Sequence, residues 1–247
     1  MNAPRILAVT NQKGGVGKTT LTFHLAVRAA EEGHRVLLVD FDAQGNASTA
    51  LLGSLPPTLR SHEGAAEVFL AKEIHPLPTP AGVDLLPGHQ HLDGVDAFPF
   101  EDTPERLGFL LGLPYDFILF DTPPSVGLRN LAPLLWADRV FIPIEPNSFA
   151  AAGLANTLDT IVDVRATNPR LAFTILINRL IPNSSQQRAH IASLSGLAPI
   201  YSPYLANRVA VGGALDQCLP VWKYKRADPR LRHLWRALCG DLLYGRN

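Results

Sequence analysis

Cysteine, long apolar runs and net charge are all scarce in this chain. Cys218 and Cys239 are its only cysteines, too far apart for a C-x-x-C pair and too few for a disulfide framework, so a stapled secreted domain is excluded. No stretch of about 18 apolar residues occurs, and no transmembrane helix is expected. The N-terminus runs directly into an apolar segment without the charged, apolar and small-residue pattern of a secretory signal, which predicts a cytoplasmic protein. Internal repeats and low-complexity tails are absent as well. The formal net charge is zero, but it is unevenly spread. Through Val164 there are 10 Lys and Arg against 19 Asp and Glu, whereas from Arg165 onward there are 12 against 3. A basic C-terminal third is a hint of polyanion binding, and scattered arginines on a solvated helical surface would look the same.

What is present is an α/β pattern. A length of 247 residues, a hydrophobic fraction of 47% and a mean hydropathy of +0.09 suit one compact α/β domain spanning residues 1–247. Short apolar runs alternate with longer amphipathic ones, the pattern of β-α units around a mostly parallel sheet. The spacing predicts strands over Arg5–Thr10, Arg35–Asp40, Val83–Leu86, Tyr115–Phe120, Asp138–Ile144 and Ala172–Ile177. Helices are expected over Leu21–Glu32, Ala47–Leu52, Glu63–Lys72, Pro104–Leu111, Ala150–Thr167, Ser185–Leu194 and Arg230–Leu243. Gly53–Arg60 reads as a Pro-containing connector. His89–Thr103 reads as a surface loop, since Asp, Gly and Pro interrupt every period there. His89 and His91 have the spacing of a metal pair, but no third ligand is suggested nearby.

The organising stretch is Lys13-Gly14-Gly15-Val16-Gly17-Lys18-Thr19-Thr20, between the first strand and the first helix. At such a junction glycines let the backbone approach a ligand, free N–H groups point outward and the helix dipole favours an anion. In a loop of this kind Lys18 reaches the β- and γ-phosphates and the Thr19 hydroxyl ligates Mg²⁺. The usual G-x-x-x-x-G-K-[ST] form would place glycine at position 12. This chain has Gln12 there, and a second lysine, Lys13, at the front of the loop. Two further strands deliver aspartates, Asp40 with Asp42 after it and Asp121, to the sheet edge where ligands bind in open α/β sheets. An aspartate so placed can hold Mg²⁺ through water.

The loop KGGVGKTT, the block DFDAQGNAST at 40–49, FDTPPS at 120–125, PIEP at 143–146 and INR at 177–179 together resemble the ParA/Soj subfamily of deviant-Walker partition ATPases, relatives of MinD. The resemblance covers most of the chain and is specific in its N-terminal two thirds. It implies the P-loop NTPase fold, a three-layer, mostly parallel twisted sheet with helices on both faces. It further implies ATP and Mg²⁺ as ligands and an ATP-dependent homodimer in which Lys13 crosses to the partner's phosphates. Gly14, Gly15, Val16 and Gly17 would wrap the phosphates with Lys18, and Thr20 would bond the α-phosphate. Thr19, Asp121 and Asp40 would stand at the metal, with Asp42 positioning the attacking water. Asn178 would read the adenine, and Pro146 in the PIEP segment belongs to the same nucleotide site.

By the same resemblance the protein would bind double-stranded DNA without sequence preference, answer to a ParB-like partner, segregate a chromosome or plasmid and associate with the nucleoid. Arg208 is the leading candidate for a DNA contact, followed by Arg179, Arg188, Lys223 and Arg226. Two departures from the family pattern stand out: Ala43 where proline is usual, and a 207–214 stretch that lacks the family's glutamate. The chain shows no N-terminal helix-turn-helix extension, so sequence-specific operator repression is not expected. Three other readings have distinct signatures. A MinD-like regulator would use the final amphipathic helix on a membrane surface, although that helix is expected to pack on the sheet. An orphan relative would position a protein cargo. An iron–sulfur carrier would need paired cysteines that are missing here.

Overall fold

The computed structural model describes residues 3–55, 59–70, 73–100 and 103–245. Eight strands form one sheet: β1 (Arg5–Val9), β2 (Val36–Asp40), β3 (Leu77–Pro78), β4 (Asp84–Leu86), β5 (Phe117–Asp121), β6 (Arg139–Ile144), β7 (Ala172–Ile177) and β8 (Ile200–Tyr201). Their spatial order is β3-β4-β2-β5-β1-β6-β7-β8, and every pairing is parallel except that of β3 with β4. β1 lies between β5 and β6, so the chain builds one half of the sheet before turning to the other, and the crevice at the carboxyl end of β1 is the place where such sheets bind ligands.

The helices are α1 (Lys18–Glu31), α2 (Asn46–Leu52), α3 (Glu67–Leu70), α4 (Thr103–Leu107), α5 (Leu128–Trp136), α6 (Ala150–Val164), α7 (Ser185–Ser195), α8 (Val209–Leu215) and α9 (Pro229–Tyr244). Because side chains alternate across a strand, Ile6, Ala8, Leu37 and Val39 enter one core with α5 and α6, while Leu7, Val9, Val36 and Leu38 enter a second core with α1 and α9. Both faces of the central strands are therefore covered, which explains why they read as unbroken apolar runs. The three-layer α/β expectation holds. Leu231, Trp235, Leu238, Leu242 and Leu243 of α9 are buried in the second core, so that apolar stripe packs on the sheet. Among the described residues no helix is long and apolar enough to cross a membrane.

Three segments differ from expectation, and four further elements are not predicted. The 89–103 stretch contains a 3-10 helix, Gln90–Ala97, held down by buried Leu92 and Val95. The helix expected over Glu63–Lys72 is split into a 3-10 turn at Gly64–Ala66 and α3, with 71–72 outside the described residues; 56–58 of the connector lie outside them too. The one expected from Pro104 begins at Thr103, ends at Leu107 and continues as a 3-10 segment, Gly108–Gly112. The predictions omit α5, whose helical period is interrupted by Pro133, along with α8 and the two-residue strands β3 and β8.

α1 carries the phosphate loop at its start and is fastened to the C-terminal segment along its length. His24 is fully buried, with Nδ1 2.6 Å from the Thr20 carbonyl and Nε2 accepting from Val221 N–H at 3.0 Å. An N–H donor at Nε2 requires the neutral tautomer with its proton on Nδ1. Burial lowers the His24 pKa to about 4 against the opposing effect of the Thr20 carbonyl. The unfolded chain takes up this proton near pH 6.5 and the folded one does not. The resulting contribution to stability is complete above that pH and is lost as pH falls towards 4, on the order of 3 kcal/mol in all. Urea unfolding should show a lower midpoint at pH 5 than at pH 7, and His24→Gln should flatten most of that difference. An equally steep dependence in the variant would contradict the assignment.

Candidate functional site

The loop between β1 and α1 closes around its own lysine. Lys18 is 7% exposed, and its ammonium donates to the Asn11 carbonyl at 3.0 Å and the Lys13 carbonyl at 3.1 Å. Two neutral acceptors hold a charge that burial penalises, so its pKa is lowered, opposed by Asp121 and Asp42. Such a cation is poised for an anion that would replace those carbonyls. Gly17 takes a left-handed φ of 101°, and a Cβ there would lie 2.3 Å from the Asn178 side-chain nitrogen. That amide donates to the Val16 carbonyl at 2.8 Å, so Asn178, at the exit of β7, braces the loop from its far side. Lys13 is exposed, while its N–H is bound by Asn11 Oδ1 at 2.9 Å and the Asn11 amide donates to Pro143 O at the end of β6. Asn11, absent from the sequence-based site, thus fixes the neck of the loop to the neighbouring strand.

β2 and β5 are paired so that Asp40 lies directly opposite Asp121, and both carboxylates are completely buried. Thr19 Oγ1 donates to Asp121 Oδ2 at 2.7 Å and Thr22 Oγ1 to Oδ1 at 3.0 Å. Asp40 receives the Ser48 N–H and hydroxyl at 2.9 and 2.7 Å and the Asp42 N–H at 3.1 Å. Burial raises the pKa of both, and the Asp40 charge raises that of Asp121 further, beyond what their hydrogen bonds restore. Two buried carboxylates with a threonine hydroxyl form a hard oxygen donor set suited to a divalent cation. Among the described residues no group of three or more His, Cys, Asp or Glu could hold a metal ion.

Asp42 stands at the mouth, with Oδ1 accepting the Gln44 N–H at 3.0 Å. Gly88 presses against this turn: a Cβ there would come within 2.4 Å of the Asp42 carbonyl, so only glycine lets the end of β4 lie so close. The cleft between the loop and Asp42 measures about 660 Å³ and is lined by Gly14, Lys18, Thr19, Thr20, Asp42 and Arg179 among others. Arg179 has a left-handed φ of 55°, and its Nη1 lies 3.8 Å from where a Gly15 Cβ would be. That backbone turn delivers a guanidinium over the loop, which sequence spacing did not reveal. The other basic candidates lie elsewhere. Arg208, Arg188 and Arg226 are exposed, and Lys223 pairs with Glu31 at 2.6 Å. Pro146 is buried just beyond β6, and the His89–His91 pair is stitched by a backbone bond from His91 N–H to His89 Nδ1.

The arrangement can cradle a polyphosphate and a divalent ion and hold a carboxylate at the outer end of that ligand. The chain is similar to known proteins. The AAA domain family AAA_31 matches residues 4–173. The chromosome partitioning protein ParA of Caulobacter vibrioides is 37% identical over 184 residues, covering 69% of this chain and 67% of that protein. The chromosome-partitioning ATPase Soj of Thermus thermophilus is 38% identical over 170 residues, covering 68% and 66%. The chain thus aligns with about two thirds of the length of these relatives. Among solved structures, cobyrinic acid a,c-diamide synthase from Mycobacterium smegmatis with bound ADP and magnesium superposes with a TM-score of 0.78 at 29% identity, over 97% of this chain and 94% of that one.

Proposed function

The chain belongs to the ParA/MinD superfamily of P-loop ATPases, and from that premise we propose that it is a single-domain, Mg²⁺-dependent ATPase of the partition type, an ATP-dependent homodimer that binds DNA without sequence preference. The observation that carries this reading is the closure of the lysine-threonine loop against the buried Asp121, with Asp40 opposite it in the sheet and Asp42 at the open end. A nucleotide would draw Lys18 off the Asn11 and Lys13 carbonyls and onto its β- and γ-phosphates. Backbone N–H groups of Gly14 to Gly17 would surround the same oxygens, and Thr20 would meet the α-phosphate. Thr19 and Asp121, with Asp40 behind them, would hold Mg²⁺, which supplies charge neutralisation at the phosphates. Asp42 would orient the water that attacks the γ-phosphorus as the bond to the bridging oxygen breaks and ADP departs.

Lys13 is exposed and free to cross to a partner copy, where developing charge needs a further cation. Arg179 serves the nucleotide in this reading. Arg208, Arg188 and Arg226 serve DNA, with Lys223 available once its pair with Glu31 opens. A ParB-like protein would stimulate hydrolysis and release the dimer from the nucleoid. Phosphate release from Mg-ATP tests the enzyme. Since Lys and Arg contacts to phosphate should dominate DNA affinity, binding should fall by about 10³-fold or more between 50 and 200 mM salt if six or more phosphates are contacted. Absence of phosphate release, or binding to anionic liposomes in preference to duplex DNA, would overturn the reading.

A further inference from the structure

Arg129 has no role in the assignments above, yet it is 4% exposed and all its partners are polar. It is the second residue of α5, the helix that follows the Asp121–Ser125 segment. Its Nε and Nη2 donate to Asp96 Oδ2 at 3.0 and 2.8 Å, and Nη2 also reaches Asp93 Oδ1 at 2.7 Å. Its backbone N–H donates to Asp96 Oδ1 at 3.0 Å, so Asp96 caps α5 from a distant segment. The remaining arm, Nη1, donates to the Phe41 carbonyl at 3.2 Å.

That carbonyl belongs to the peptide joining Phe41 to Asp42. The other polar atom of the same peptide, Asp42 N–H, is bound by Asp40 Oδ1, while Phe41 N–H donates to Asp121 O at 2.9 Å. The Asp42 peptide plane is therefore held on one side by Asp40 and on the other by Arg129. The neighbouring Asn130 ties the same helix start to the Pro123 carbonyl at 3.1 Å and accepts from Thr10 Oγ1 at 3.2 Å. One turn of α5 thus gathers the ends of β1, β2 and β5 around the cleft. We infer that Arg129 is a positioning residue for Asp42, fixing its carboxylate through the Phe41 carbonyl while Asp96 fixes Arg129.

This inference rests on the reading of Asp42 as the residue that orients water. A misplaced catalytic group costs rate far more than it costs ground-state binding. Arg129→Met should lower kcat about tenfold to a hundredfold with ATP affinity changed less than about threefold, and Arg129→Lys should recover part of the rate. Asp93→Ala, which removes the partner whose side chain is 73% exposed, should change neither by more than about twofold. Fluorescent-ATP binding and single-turnover hydrolysis supply the two numbers. Arg129→Met combined with Asp96→Asn removes both charges and is the variant to read if the single one does not fold. Wild-type kcat in a folded variant, or a parallel loss of ATP affinity and rate, overturns the inference. If the wild-type protein turns over, Asp42→Ala does not, and Arg129→Met does at full rate, the inference fails alone. If the wild-type protein does not hydrolyse ATP, the functional reading fails first.

Discussion

Replacing Lys18 with alanine is expected to weaken ATP binding by about a hundredfold or more and to leave no measurable turnover. The ammonium is the buried cation inside the loop, held by the Asn11 and Lys13 carbonyls with Asp121 and Asp42 close enough to favour its charge. Two charge-assisted bonds to phosphate would replace two bonds to neutral carbonyls when nucleotide enters, and both are lost in the variant. The nucleotide-free fold should suffer little, since alanine removes a desolvated charge as well as its bonds. Fluorescent-ATP titration beside a thermal melt separates these effects. ATP affinity within a few-fold of wild type would contradict the assignment of Lys18 to the phosphates.

Asp42→Ala should do the opposite, sparing ATP binding while lowering hydrolysis by about 10² to 10⁴-fold. Asp42 lies on the outer wall of the cleft, and of its oxygens Oδ1 accepts the Gln44 N–H. It is not part of the buried Asp40–Asp121 pair, so its loss does not disturb the candidate metal donors. The variant should accumulate in its ATP form, and single-turnover hydrolysis compared with ATP titration would show the split. Retained turnover would remove Asp42 from the mechanism.

Much of this site is legible along the chain because its parts are local in sequence. The glycine loop lies between a strand and a helix, and Asp40 and Asp121 end apolar strands, so their meeting at one sheet edge follows once the sheet is parallel. Arg129 was not legible. Its partners Asp93 and Asp96 lie more than thirty residues away in a segment whose 3-10 turns carry no helical period, and Pro133 masks the helix it begins. Ser48 and Asn11 were missed for a related reason: each satisfies a buried polar atom, a need visible only after folding. Arg179 read as a candidate DNA contact, because nothing in its neighbours announces the left-handed backbone that turns it over the loop.

On this account, nucleotide occupancy of the cleft should switch an ATP-dependent grip on DNA. The most direct test is retention of the wild-type protein on arbitrary duplex DNA at low salt in Mg²⁺ with ATP, with ADP and with no nucleotide. Retention with ATP alone, reversed by raising salt, is the predicted result. Equal retention in all three states, or none with ATP, would contradict it.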